Sequence, residues 1–171
     1  MKDEEFTFDF IKSHGVKAQN LMLANIGPKR LKEMGLENVE DLRELGFDAL
    51  YVTDPKFALE CTSSFGGDAV VSTYLKTASD AVILAGSDAM SILGVSAMDL
   101  LNACAGAPTE AHAVLQQLPL GTSLTGVSPT VLLDTGIRKE ALMELGYSLA
   151  AVVSQTSASA AQLTKLGFTF L

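Results

Sequence analysis

One phrase recurs along this chain. It is an apolar residue, two variable residues, a second apolar residue, a glycine, and then an apolar or aromatic residue. Leu31-Lys-Glu-Met34-Gly35-Leu36 is the first clear copy, and Leu42-Arg-Glu-Leu45-Gly46-Phe47 follows it. Leu142-Met-Glu-Leu145-Gly146-Tyr147 and Leu163-Thr-Lys-Leu166-Gly167-Phe168 repeat it near the C-terminus. Weaker copies end at Gly15, Gly27, Gly86, Gly94, Gly106, Gly126 and Gly136. Gly66 fills one further slot, and units without glycine are expected near Pro55, Ala78, Leu118 and Thr156. Fifteen intervals between Gly15 and Gly167 then average about ten residues.

The phrase has a mechanical meaning. Apolar residues three apart share one face of a helix. Glycine just after them takes the left-handed conformation that ends a helix, and the following apolar residue folds back over the last turn. Helix starts follow. Ser96-Ala-Met-Asp99 has the form of a capping box with Asp at the acidic position. Pro28, Pro55, Pro108 and Pro129 suit a first helical turn, where a missing N–H removes no bond. Asn38, Asp48, Ser79-Asp80, Ser87-Asp88 and Ser148 are further N-cap or first-turn candidates.

Each unit therefore reads as a two-turn helix and a tight turn. A helix so short is unstable in isolation and must bury its apolar face on neighbours. The expected fold is all-α, a solenoid-like stack of short helices, with a compact helical bundle as the alternative. Intervals of about twelve and then eight residues, as in Gly15 to Gly27 to Gly35, suggest two helices per superhelical turn. Residues 1–14 are expected to cap the array, and residues 15–171 to form it as a single domain. In the N-terminal segment Phe6, Phe8 and Phe10 alternate as in a strand, while Phe6, Phe10 and Ile11 fit a helix face. The C-terminal run from Gly167 to Leu171 has no polar cap, as in a fragment of a longer array or an end that docks.

The four clear copies resemble the short Leu-x-x-Leu/Ala-Gly-Phe/Tyr helical tandem repeats of protist and large-virus proteins. The resemblance covers about half of the chain. It implies a helical scaffold, and it carries no catalytic residues to transfer.

Composition agrees with packed helices. Of the 171 residues 48% are hydrophobic and only 19% charged, with no Trp, which argues against disorder. Residues 1–60 hold 12 of the acids and 8 of the Lys and Arg residues, whereas from Cys61 to Ile137 the only Lys or Arg is Lys76. That weakly charged stretch suits Ala-rich helices packed closely, or a face covered by another subunit. A net charge of −8 argues against nucleic acid or an anionic membrane as partner. No segment approaches the apolar length of a membrane span, and the start is too acidic for a signal peptide. A reducing, cytoplasmic setting is the expectation.

Candidate chemistry is sparse. Cys61 and Cys104 sit in apolar helical patterns and read as small buried hydrophobes. His14 stands near a helix C-terminus. His112 and Glu110 are two apart and point to different sides of a helix. No metal-ligand, phosphate-loop or nucleophile motif is found, so no catalytic, cofactor or metal residue is expected. The expected function is a non-enzymatic scaffold or protein-interaction module, with another protein or a second copy as partner. A rival reading takes residues 24–45 as a helix-hairpin-helix resemblance, in which Gly27, Lys29 and Arg30 would meet nucleic-acid phosphates. Asn25 stands where that family has its first hairpin glycine, and the acids at 33, 37, 40, 41 and 44 would repel a phosphate backbone.

Overall fold

A computed structural model describes residues 6–118 and 124–170. The acidic start, part of the unit expected near Leu118, and Leu171 lie outside the described residues. The described residues form helices and turns without a strand. The helices are α1 (Phe8–Ser13), α2 (Ala18–Leu23), α3 (Pro28–Glu33), α4 (Val39–Glu44), α5 (Ala49–Val52), α6 (Pro55–Phe65), α7 (Gly67–Tyr74) and α8 (Ala78–Leu84). Then come α9 (Ala89–Leu93), α10 (Ala97–Ala103), α11 (Pro108–Gln117), α12 (Pro129–Asp134), α13 (Lys139–Glu144), α14 (Leu149–Thr156) and α15 (Ala160–Leu166).

The phrase read from the sequence closes six of these helices in one way. Its first apolar residue is an anchor whose carbonyl accepts a bond from the residue just beyond the left-handed turn. Leu36 N–H donates to Leu31 O at 3.0 Å, Phe47 to Leu42 at 3.0 Å, Tyr147 to Leu142 at 2.8 Å and Phe168 to Leu163 at 3.0 Å. Val16 to Ile11 and Ile26 to Leu21 are two further copies. All six anchors are buried, as are Leu45 and Leu166 at the second apolar position, while Met34 and Leu145 are half-buried. The residue three before the anchor is buried too, at Phe8, Ala18, Pro28 and Val39.

One slot departs from the sequence reading. Gly27 does not end a helix, because its backbone is extended and it is the N-cap of α3. Asn25 ends α2, in the left-handed region at φ 56°. Asparagine tolerates this region because its short polar side chain bonds locally. With Asn25 in place of Gly27, helices α1 to α4 start at residues 8, 18, 28 and 39, a near-constant spacing. Ser157 likewise takes the left-handed conformation beside Thr156, where the sequence predicts a unit without glycine.

Most helix starts follow the expected chemistry, although Asn38 and Asp88 stand at the N-cap positions of α4 and α9 without a side-chain cap bond. Pro28, Pro55, Pro108 and Pro129 each open a helix. Asp48 and Ser148 cap α5 and α14, and Ser96 with Asp99 forms the capping box of α10. For α8 the cap is Thr77, with Asp80 completing the box, in place of Ser79. The N-terminal segment is helical, but its buried face is Phe8 and Ile11, while Phe6 and Phe10 stay exposed. The expected capping element, residues 1–14, thus contains a helix in the register of α2–α4.

Contacts divide the described chain into two units. The first comprises residues up to Tyr74 together with Ser87–Gly94, and the second comprises Leu75–Gly86 together with residues from Val95. In the first, α3 packs on α6, α4 on α7 and α6 on α9. In the second, α8 packs on α11 and α12 on α15. Hydrogen bonds between helices tell the same story. Lys12 to Asp41, Arg43 to Thr73 O and Thr73 to Glu40 in the first unit span 29, 30 and 33 residues. Gln117 to Val82 O and Arg138 to Lys165 O in the second span 35 and 27. The recurrence is therefore about three repeats, not two. Within each unit a helix meets its neighbour one coil later, after roughly thirty residues. Between Gly15 and Gly35 the intervals of twelve and eight become ten and ten once Asn25 replaces Gly27 as the turn.

Candidate functional site

The repeat breaks once in the first unit, and an open groove lies there. Asp48 caps α5 by accepting from Leu50 N–H at 3.0 Å. After only four helical residues, Asp54 starts the next helix, accepting from Phe57 N–H at 2.8 Å. Pro55 enforces the break, since a residue before proline is held extended. The two starts leave α5 short and extend α6 to 11 residues.

Two adjoining clefts open beside this break. One, of about 440 Å³, is lined by Met22, Asp48, Leu50, Tyr51, Asp54 and Phe57. The other, of about 320 Å³, shares Met22, Asp54 and Phe57 and adds Lys29, Arg30, Glu33, Lys56 and Glu60 among its walls. The floor is aromatic. Phe47, Tyr51 and Phe57 pack with ring centroids 5.1 to 5.8 Å apart, so Tyr51 is held by its neighbours. Met22 and Leu50 are 43% and 61% exposed, so the cleft presents apolar side chains to water.

The charges of the first cleft are acidic, while the second mixes Lys29, Arg30 and Lys56 with Glu33, Asp54 and Glu60. Asp48 and Asp54 stand beside the apolar cleft, and neither forms an ion pair among the described residues. Lys29 and Lys56 stand over the second cleft, likewise without an ion pair among the described residues. Arg30 is held by Glu33 at 3.1 Å.

Gly27, Lys29 and Arg30 do gather at this cleft. Gly27 lies in the turn between α2 and α3, as the extended N-cap of α3. A Cβ there would lie 2.7 Å from Glu60 Oε2, so glycine permits the close approach of that carboxylate. The protein's own anion thus lies against the start of α3, where a phosphate contact would need to form. Met22, Leu50, Tyr51 and Phe57 do not stand out in the sequence. The one sign there is the pair of Asp helix starts, Asp48 and Asp54, too close together for the ten-residue spacing.

Elsewhere, titratable groups serve the packing. Burial pushes the Cys61 thiol up to about 12, with Glu60 adding to the shift, and pushes Cys104 up to about 11, with a smaller push from Glu110. Burial also raises Tyr74 and Tyr147. His112 Nε2 lies 3.8 Å from Glu144 Oε2, a partner one coil later and not Glu110. His14 stacks on Phe10 with centroids 3.9 Å apart. Among the described residues, no three His, Cys, Asp or Glu side chains gather as metal ligands, and no helix is long and apolar enough to cross a membrane.

Comparison with known proteins finds no matching family model, no matching curated protein and no matching solved structure.

Proposed function

We propose that this chain is a non-catalytic, helical-repeat interaction module, and that its groove takes a segment of another protein. The observation that carries the reading is the groove itself: exposed Met22 and Leu50 over the Tyr51–Phe57 floor, with Asp48 and Asp54 at one cleft and Lys29 and Lys56, unpaired among the described residues, at the other. Apolar anchors in a pocket with a polar rim are how protein interfaces concentrate affinity. The charges define the occupant. It is a segment with one bulky apolar side chain, a Lys or Arg facing Asp48 and Asp54, and an acidic group facing Lys29 and Lys56. The resemblance to protist and large-virus helical repeats supports the same class of role. A reducing, cytoplasmic setting fits two buried free thiols.

Selection of displayed peptides on the 171-residue protein tests the reading. Enrichment of peptides with an apolar residue beside Lys or Arg is expected, and it should vanish on the Leu50→Lys variant. Failure to enrich any such pattern, or equal enrichment on the variant, would overturn it. If short nucleic acids bind instead, with affinity falling steeply with salt and lost in Lys29→Glu/Arg30→Glu, the helix-hairpin-helix reading takes its place.

A further inference from the structure

Asp48, Tyr51 and Asp54 are tied into consecutive turns. Tyr51 N–H donates to Asp48 O at 3.1 Å, and Asp54 N–H donates to Tyr51 O at 3.2 Å. Each aspartate also fixes its own carboxylate. One oxygen of Asp48 accepts from Leu50 N–H, and one oxygen of Asp54 accepts from Phe57 N–H. All three residues line the first cleft, where the described walls include no Lys or Arg. Both aspartates are exposed, and neither forms an ion pair among the described residues. The cleft thus offers a cation two held carboxylates and the ring between them in the chain.

The kind of cation follows from how much ring is available. Phe47 is fully buried and Phe57 is 4% exposed, whereas Tyr51 is half-buried. One ring cannot surround a methylated ammonium, which is recognised by a cage of several aromatic faces. An unmethylated ammonium is compact and strongly hydrated, so a single face adds little to its binding. A guanidinium is planar and more weakly hydrated. It stacks on one aromatic face while the N–H groups at its edge fork to carboxylates. Its stem is apolar and suits the exposed Met22 and Leu50.

We propose that the cation taken by this cleft is an arginine side chain, selected over lysine by the Tyr51 ring together with Asp48 and Asp54. The guanidinium stacks on Tyr51 and donates at its edge to the flanking carboxylates, while its stem covers Leu50 and Met22. The proposal rests on the reading that the groove takes a protein segment, and it names the residue that segment must carry.

Isothermal titration calorimetry on the full 171-residue protein provides the test. The probe is the tightest peptide from the displayed selection, synthesised with Arg, Lys or trimethyllysine at its basic position. The Arg peptide is expected to bind at least about fivefold more tightly than the other two. Tyr51→Leu keeps an apolar wall but removes the ring, and it should abolish that preference. Asp48→Asn/Asp54→Asn removes the charges and keeps two good N-cap residues, and it should weaken the Arg peptide by about tenfold. The preference is a ratio on one protein, so general loosening of the fold does not move it. The Asn pair keeps the test decisive if circular dichroism shows Tyr51→Leu unfolded. Equal affinity of the Arg and Lys peptides, tighter binding of the trimethyllysine peptide, or a full preference in either variant overturns this proposal and leaves the groove reading standing. A selection that yields no peptide with a basic residue overturns both.

Discussion

The backbone N–H of Ala18 donates to the carbonyl of Leu45 at 2.9 Å, tying the first residue of α2 to the last turn of α4. Every helix leaves unpaired N–H groups at its start and carbonyls at its end. In helices this short, unpaired ends are a large share of the backbone. Pairing a start with an end one coil later satisfies both. Phe8 to Met34 does the same, and in the second unit the turn residue Gly106 donates to Asp134, the last residue of α12.

Removing that donor should be measurable. Ala18→Pro keeps the φ suited to a first helical residue but deletes the N–H. A loss of about 1–3 kcal/mol is expected from chemical denaturation, the cost of an unpaired buried carbonyl. Ala18→Val keeps the N–H and adds comparable bulk, so it isolates the crowding term. Equal losses for the two variants would mean that the bond contributes nothing.

The left-handed turns give an opposite pair of outcomes. Gly35 has φ +106°, and a methyl placed there would meet open space, so Gly35→Ala tests backbone conformation alone. It should cost about 1–2 kcal/mol. Asn25→Gly relieves the same strain at φ 56° and should be neutral or stabilising by up to about 1 kcal/mol. Thermal midpoints that move the other way would show that Asn25 makes contacts worth more than its strain.

Both thiols should resist labelling in the native protein. Cys61 and Cys104 are fully buried, with their thiols pushed up to about 12 and about 11. The thiolate is the reactive form, so at about pH 8 an aromatic disulfide reagent should label them only after denaturant is added. The sign of the linkage follows. The unfolded thiol releases its proton near 9.0, whereas the fold retains it, so this contribution to stability is complete below pH 9 and is lost as pH rises towards 11 and 12. Fast native labelling, or stability that rises across this range, would contradict the burial.

Two leucines at positions two residues apart within the repeat phrase should differ sharply. Leu42 is an anchor with no exposure, and Leu42→Ala should cost about 3 kcal/mol through lost burial and a cavity. Leu23 is 85% exposed, and Leu23→Ala should change monomer stability by no more than about 0.5 kcal/mol. Urea titration compares the two variants.

The sequence by itself determined the local grammar. Apolar residues three apart, a glycine and a following apolar residue specify a short helix, its left-handed stop and the fold-back bond, because all three depend on close neighbours in the chain. That is why Leu31, Leu42, Leu142 and Leu163 could be read as anchors, and why the proline and Asp48 helix starts were legible. Asn25 escaped because glycine is the usual left-handed residue, and a local side chain served instead. Only the tertiary structure decided which helix meets which. The recurrence over about three repeats depends on the angle each turn imposes, and a small change in that angle accumulates around a coil. The Met22–Leu50 groove was equally out of reach, since its walls come from α2, α3, α5 and α6. Their distance in space follows from the coil and not from any local pattern.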